Sequence, residues 1–203
     1  MYISKFSKII FIVLFNFFIA AMYSGKTHSS PAKPASLTQT KELIELGKFM
    51  KAEASIILQL KKKPRDAQWR YLNALLKAEK GIKFNSETLI NDAISLFELL
   101  TEEFPELPEP HNNLGVLYNR LNQNLRSIKS FKMAVVNNPN YTLAHENLAD
   151  LYLFLAIDAY KEGVKRSSNE RLRAKSKYLE NVPFFSLRNL DLRILTKKTG
   201  RIR

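Results

Sequence analysis

His111-Asn112-Asn113-Leu114-Gly115-Val116-Leu117-Tyr118 is answered 34 residues later by His145-Glu146-Asn147-Leu148-Ala149-Asp150-Leu151-Tyr152. His, Asn, Leu and Tyr return in register, and Gly115 and Ala149 keep a small residue beside the Leu. A fixed period of that length predicts helix-turn-helix units, none of which buries its apolar face alone, so that each must stack on the next. The expected fold class is all-α, a solenoid of stacked helix-turn-helix units.

Between the two copies the chain supplies the rest of one unit, from Pro108 to Tyr141. Leu114, Gly115, Tyr118, Ser127, Phe131, Ala134 and Pro139 follow His111 at offsets that suit two antiparallel helices. Gly115 permits close approach, while Tyr118, Phe131 and Leu114 fill the space between the helices. Pro139 ends the second helix. This pattern resembles a tetratricopeptide repeat, with His111 where that family usually has Trp and Ser127 where it usually has Ala. The resemblance implies a right-handed solenoid of about three and a half repeats over residues 37–166, in approximate units 37–65, 66–107, 108–141 and 142–166. More narrowly, the run from Phe104 to Gly115 and that from Ala144 to Tyr152 are similar to small exported tetratricopeptide proteins of Gram-negative bacteria, especially the beta subdivision. That group implies a periplasmic location and no known catalysis.

The neighbouring units are less regular. In the last, His145, Leu148, Ala149 and Tyr152 hold the first helix, but Ala156 and Tyr160 come about four residues early. A single long helix through Val164 is therefore expected. Upstream, Trp69, Leu72, Asn73 and Leu76 fit a unit that Asp66 can cap. Its second helix fits only after a surplus of eight residues, Gly81 to Thr88, expected to form a longer inter-helix turn. Before it, Leu43, Gly47, Phe49, Ala52, Ile56 and Pro64 suggest a worn first unit. After the array, Leu172, Tyr178 and Leu179 in a segment at 167–181 are spaced so that one side of a capping helix seals the last repeat.

The formal net charge of +13 suggests nucleic acid until it is located. Two lysines fall in residues 1–21, and twelve Lys/Arg against three acids fall in 165–203; residues 22–164 hold 18 basic and 16 acidic residues. The body is nearly balanced, so no nucleic-acid partner is expected. The chain has no Cys, which excludes disulfides, thiolate metal sites and Cys nucleophiles. Walker, GxSxG, HExxH and dinucleotide motifs are missing. Glu102 and Glu103 are adjacent on a helix and diverge by about 100°. His111 and His145 lie one repeat apart, so packing rather than metal ligation is expected of them. The expectation is a protein without catalytic residues, metal or cofactor.

At the N-terminus Lys5 and Lys8 precede a run from Ile9 to Met22 that is apolar except for Asn16. Residues 1–23 read as a secretory signal peptide, with Ile19-Ala20-Ala21 as the best cleavage site, or as an N-terminal membrane anchor from Ile3 to Tyr23. Either leaves the remainder exported, in the periplasm or anchored at the inner membrane facing it. Residues 24–36 read as a linker. Residues 182–203 form a basic apolar tail in which arginines interleave with Phe184, Phe185, Leu187, Leu190, Leu192 and Leu195, a composition expected to dock on an anionic membrane surface or a partner.

In tetratricopeptide proteins the first helix of each unit lines a concave wall. The resemblance places Arg70 and Lys77, with Ala67, Ala74 and Ala78, on that wall in one unit. The next contributes Glu109, Asn112, Val116, Asn119 and Arg120, and the last Leu143, Glu146, Asp150, Leu153 and Phe154. The expected groove grades from basic through amide-rich to acidic with an apolar floor, and suits a protein or peptide of mixed charge. The family's clamp for a C-terminal carboxylate is rejected: Arg70 fits it, but Ala74, Val116 and Asp150 stand where it needs Asn. Asn113 and Asn147 are expected to be packing amides. The resulting expectation is a non-enzymatic scaffold of the cell envelope. The alternatives are an anchored accessory factor of a maturation complex such as cytochrome assembly and, less favoured, a basic nucleic-acid binder.

Overall fold

The computed structural model describes residues 35 to 180, and these are helical throughout apart from short turns; among the described residues there is no strand. The helices are α1 (Leu37–Glu45), α2 (Phe49–Lys62), α3 (Ala67–Phe84), α4 (Glu87–Glu103), α5 (Pro108–Arg120), α6 (Asn124–Asn137), α7 (Thr142–Ser167) and α8 (Glu170–Glu180). Each packs against the next in the chain, and α1 also touches α3, as α3 touches α5. None is long and apolar enough to cross a membrane. The expected N-terminal signal or anchor, the linker as far as residue 34 and the tail from 182 lie outside the described residues.

Two kinds of turn alternate along the chain, each set by local sequence. After α1, α3 and α5 the chain enters the left-handed region at Gly47 (φ 68°), Asn85 (φ 50°) and Asn122 (φ 58°). Glycine and asparagine are the residues that tolerate it. At each, a pair of backbone bonds closes the helix end: Lys48 N–H to Leu43 O and Gly47 N–H to Ile44 O, Ser86 to Gly81 and Asn85 to Ile82, Gln123 to Tyr118 and Asn122 to Asn119. After α2, α4 and α6 the chain instead stops at Lys63, Phe104 and Asn138, with φ of −135°, −136° and −141°. Each precedes a proline, which bars it from the helical region. The same turn bond then follows three times, from Asp66 N–H to Lys63 O, Leu107 to Phe104 and Tyr141 to Asn138. Helix starts are equally local. Ser36 forms a capping box with Gln39, and Asp66 Oδ1 accepts from the Gln68 and Trp69 amides at 3.1 Å.

The surplus from Gly81 to Thr88 is not the longer turn that the spacing suggested. Helix α3 runs on through Phe84, the turn is confined to Asn85 and Ser86, and α4 begins at Glu87. With 18 residues α3 is five longer than α5, and with 17 residues α4 is three longer than α6, which together absorb the surplus. The reason is chemical: Asn85 supplies the left-handed stop and the Ser86 hydroxyl accepts from the Leu89 amide, so both helices reach these two residues intact.

The core runs the length of the hairpins. Phe97 of α4 is fully buried with its ring centre 5.9 Å from that of Tyr71 on α3, Leu75 is fully buried in the same core, and Phe131, Leu114 and Tyr118 are buried in the α5–α6 hairpin. Gly115 brings α5 against the Phe131 ring, and the Ser127 hydroxyl donates to Gly115 O at 2.7 Å, which explains a polar residue in so tight a contact. Helix α7 runs unbroken from Thr142 to Ser167, as the early Ala156 and Tyr160 suggested, and α8 folds back along it. Leu172 and Leu179 are half-buried and Ser176 is buried. Tyr178, expected to help seal the array, is 77% exposed, because it lies about 240° around the helix from Leu172.

Three tyrosines report on this core. Burial raises the Tyr71, Tyr118 and Tyr141 phenols above their ordinary value, Tyr118 also through its hydrogen bond to Glu98, and Tyr141 is pushed up to about 12. A phenol whose folded value exceeds its unfolded value of about 10 keeps its full stabilising effect below that pH and loses it as pH climbs through the folded value. The unfolding free energy is therefore expected to hold steady up to about pH 10 and to fall above it. Denaturant titrations across that range check this, and Tyr141→Phe is expected to make the decline shallower.

Candidate binding groove

The first helices of successive hairpins, α3, α5 and α7, are joined by a ladder of polar side chains. Asn113 Nδ2 donates to the Tyr71 hydroxyl at 3.1 Å, Asn112 Nδ2 to Asn113 Oδ1 at 3.3 Å, and Asn147 Nδ2 to Asn112 Oδ1 at 2.9 Å. Asn112 and Asn113 have no solvent exposure and Asn147 has 1%. A buried amide left unbonded costs about 1–3 kcal/mol, so each rung constrains how the next helix sits. Asn113 and Asn147 are packing amides, as their position suggested. Asn112, expected as a groove ligand, is instead the middle rung, and Val116, one turn on, is 4% exposed. Neither side chain stands open to solvent.

The two histidines make equivalent contacts. His111 Nε2 lies 3.0 Å from Pro105 O, and His145 Nε2 lies 2.9 Å from Pro139 O. Each closes the proline turn that leads into its own helix. Asn137 Nδ2 also donates to Pro105 O, at 2.6 Å.

The two cations expected at the basic end of the groove are engaged within their own hairpin. Arg70 makes a two-pronged bond to Glu103, at 2.6 and 2.7 Å, and Lys77 bonds Asp92 at 2.8 Å; both acids belong to α4. The hydrogen bonds from Arg70 hold the Glu103 carboxyl below the usual carboxylate range. Both cations, where a basic end was expected, are thus neutralised by acids of α4.

Of the remaining wall positions, Ala74, Ala78 and Leu143 are also buried, and the others keep access to solvent. Arg120 is exposed and reaches back to Asn85 Oδ1 at 3.1 Å, bracing the α3–α4 turn. Half-buried Asn119 donates to Asn124 Oδ1 at 3.1 Å. On α7, Glu146 is exposed, while Asp150, Leu153 and Phe154 are half-buried. Burial raises the Asp150 carboxyl. A partly desolvated acid beside Leu153 and Phe154 has more to gain from a hydrogen-bond donor than a fully hydrated one has.

One cluster escaped sequence reasoning. The Arg126 guanidinium lies 4.0 Å over the Tyr118 ring and bonds both the Tyr118 hydroxyl and Glu98 Oε1 at 2.8 Å. It ties α4, α5 and α6 at one corner. Nothing in the sequence pairs Glu98 with a tyrosine twenty residues on, since the contact exists only once consecutive hairpins are side by side. Among family models, curated proteins and solved structures, none matches the chain.

Proposed function

We propose that the chain is a tetratricopeptide-type scaffold, a right-handed solenoid of about three and a half helical hairpins capped by α8, that holds a protein or peptide segment and carries out no catalysis. The observation that carries this reading is a contact repeated one unit apart, from His111 to Pro105 O and from His145 to Pro139 O. Equal contacts at equal spacing are what stacked copies of one supersecondary unit produce. The alternation of left-handed and proline turns over three successive hairpins supports the same reading.

The binding wall in this proposal is narrower than the sequence suggests. Asn119, Arg120, Glu146, Asp150, Leu153 and Phe154 carry recognition, while Arg70 and Lys77 shape the wall and Asn112 and Val116 support it from within. An extended or helical segment bearing both a donor for Asp150 and an apolar group for Leu153 and Phe154 fits best. The lysines ahead of the Ile9–Met22 run favour a periplasmic site of action.

A photoreactive side chain placed at Asn119 or Phe154 in living cells tests the proposal. Both positions are expected to trap the same envelope protein, whereas a probe at Leu125, 85% exposed on α6, is expected to trap none. Equal trapping from all three positions, or a cytoplasmic location on cell fractionation, would count against the reading.

A further inference from the structure

Helix α8 has two distinct sides. Leu172, Ser176 and Leu179 turn toward α7, with Leu172 Cδ1 close against Gly163. Arg171, Ala174, Lys175 and Tyr178 recur at i, i+3, i+4 and i+7 and form one exposed stripe. This stripe borders an open, mainly apolar cleft of about 450 Å³, lined by Tyr160 from α7 and by Ala174, Lys175, Tyr178 and Leu179 from α8. Lys175 Nζ lies 5.5 Å from the Tyr160 ring centre.

Three of the four carboxylates of this corner are committed, and the fourth, exposed Asp158, acts on Lys165. Lys161 pairs with Glu180, Lys165 with Glu162 and Arg173 with Glu170. Among the described residues no carboxylate pairs with Arg166, Arg171 or Lys175. Cations in excess, an exposed tyrosine and an adjoining apolar cleft together call for a partner that is anionic at its surface and apolar just beneath. A purely apolar surface would strand the cations, and a polyanion would leave the cleft unused. Tyrosine concentrates at the boundary between headgroups and acyl chains, and long basic side chains reach from apolar surroundings to charged headgroups.

We propose that the α7–α8 corner is a docking surface for an anionic lipid bilayer. Arg166, Arg171 and Lys175 meet headgroup phosphates, while Tyr178 enters the interface and the cleft accepts the upper acyl-chain carbons.

Because the chain has no Cys, a single cysteine can carry an environment-sensitive fluorophore. In the full chain, a label at Tyr178→Cys is expected to shift to the blue with phosphatidylcholine vesicles containing phosphatidylglycerol, and to stay unchanged with phosphatidylcholine alone. A label at Leu125→Cys is expected to respond to neither. Substituting Arg171→Gln and Lys175→Gln together is expected to raise the lipid needed for half the shift about thirtyfold, with helix content by circular dichroism unchanged. Four results would overturn the proposal: no shift, an equal shift in both kinds of vesicle, an unaltered lipid requirement in the double variant, or a shift without lipid as protein concentration rises. The last would assign the cleft to a second copy of the chain.

Discussion

Phe131→Ala is expected to lower the unfolding free energy by about 4 kcal/mol, more than any other single truncation in the α5–α6 hairpin. The ring has no solvent exposure, and its face lies against the place where a Cβ on Gly115 would sit. Truncation removes the transfer free energy of the ring and leaves a cavity whose walls are fixed. On one side the α5 backbone is held by the bond from Ser127 to Gly115 O; on the other, the Tyr118–Glu98–Arg126 corner ties α5 and α6 to α4. Collapse is therefore restricted, which puts the cost toward the upper part of the range for aromatic truncation. Urea denaturation followed by circular dichroism checks the value. A loss below about 1.5 kcal/mol would mean that the hairpin closes over the gap and that the ring is not the wedge between its helices.

What the sequence disclosed, and what it withheld, divides along the reach of each interaction. Leu114, Tyr118 and Phe131 were legible because their partners belong to the same hairpin, so fixed offsets suffice to pair them. Asp66 and the prolines were legible because caps and breaks act within a turn. The surplus after Lys80 reads by spacing as an eight-residue turn, yet its resolution is local: Asn85 as a left-handed stop directly before Ser86 as a cap marks a turn of two residues. Asn112 departs from its expected place in the groove for a different reason. Its carbonyl meets Asn147 thirty-five residues on, and that pairing depends on the register between α5 and α7, which no offset within one unit encodes. Arg70 and Lys77 likewise read as open charge until the positions of Glu103 and Asp92 on α4 are known.

Gly115→Ala is expected to destabilise the protein by about 2 kcal/mol, against the direction that helix propensity alone dictates. In an open helix interior this replacement would stabilise by about 0.5–1 kcal/mol, since glycine has the greater backbone freedom to lose. Here the added Cβ would lie 2.5 Å from Phe131 Cδ1 and Cε1 and 2.8 Å from Cζ. The contact is with the face of a rigid ring rather than with a flexible tip, so either α5 and α6 separate or Phe131 leaves its rotamer. Overpacking of that kind costs about 1–3 kcal/mol and outweighs the gain in propensity. Gly163→Ala is the matched control: its new methyl would meet only the mobile Leu172 Cδ1, at 2.9 Å, and propensity should prevail there, leaving stability unchanged or slightly raised. The sharper measurement is a double-mutant cycle with Phe131→Leu, which narrows the side chain exactly where the methyl enters. The cost of Gly115→Ala in that background is expected to fall by at least about 1 kcal/mol. Additive costs would show that the glycine is required for some reason other than the approach of that ring.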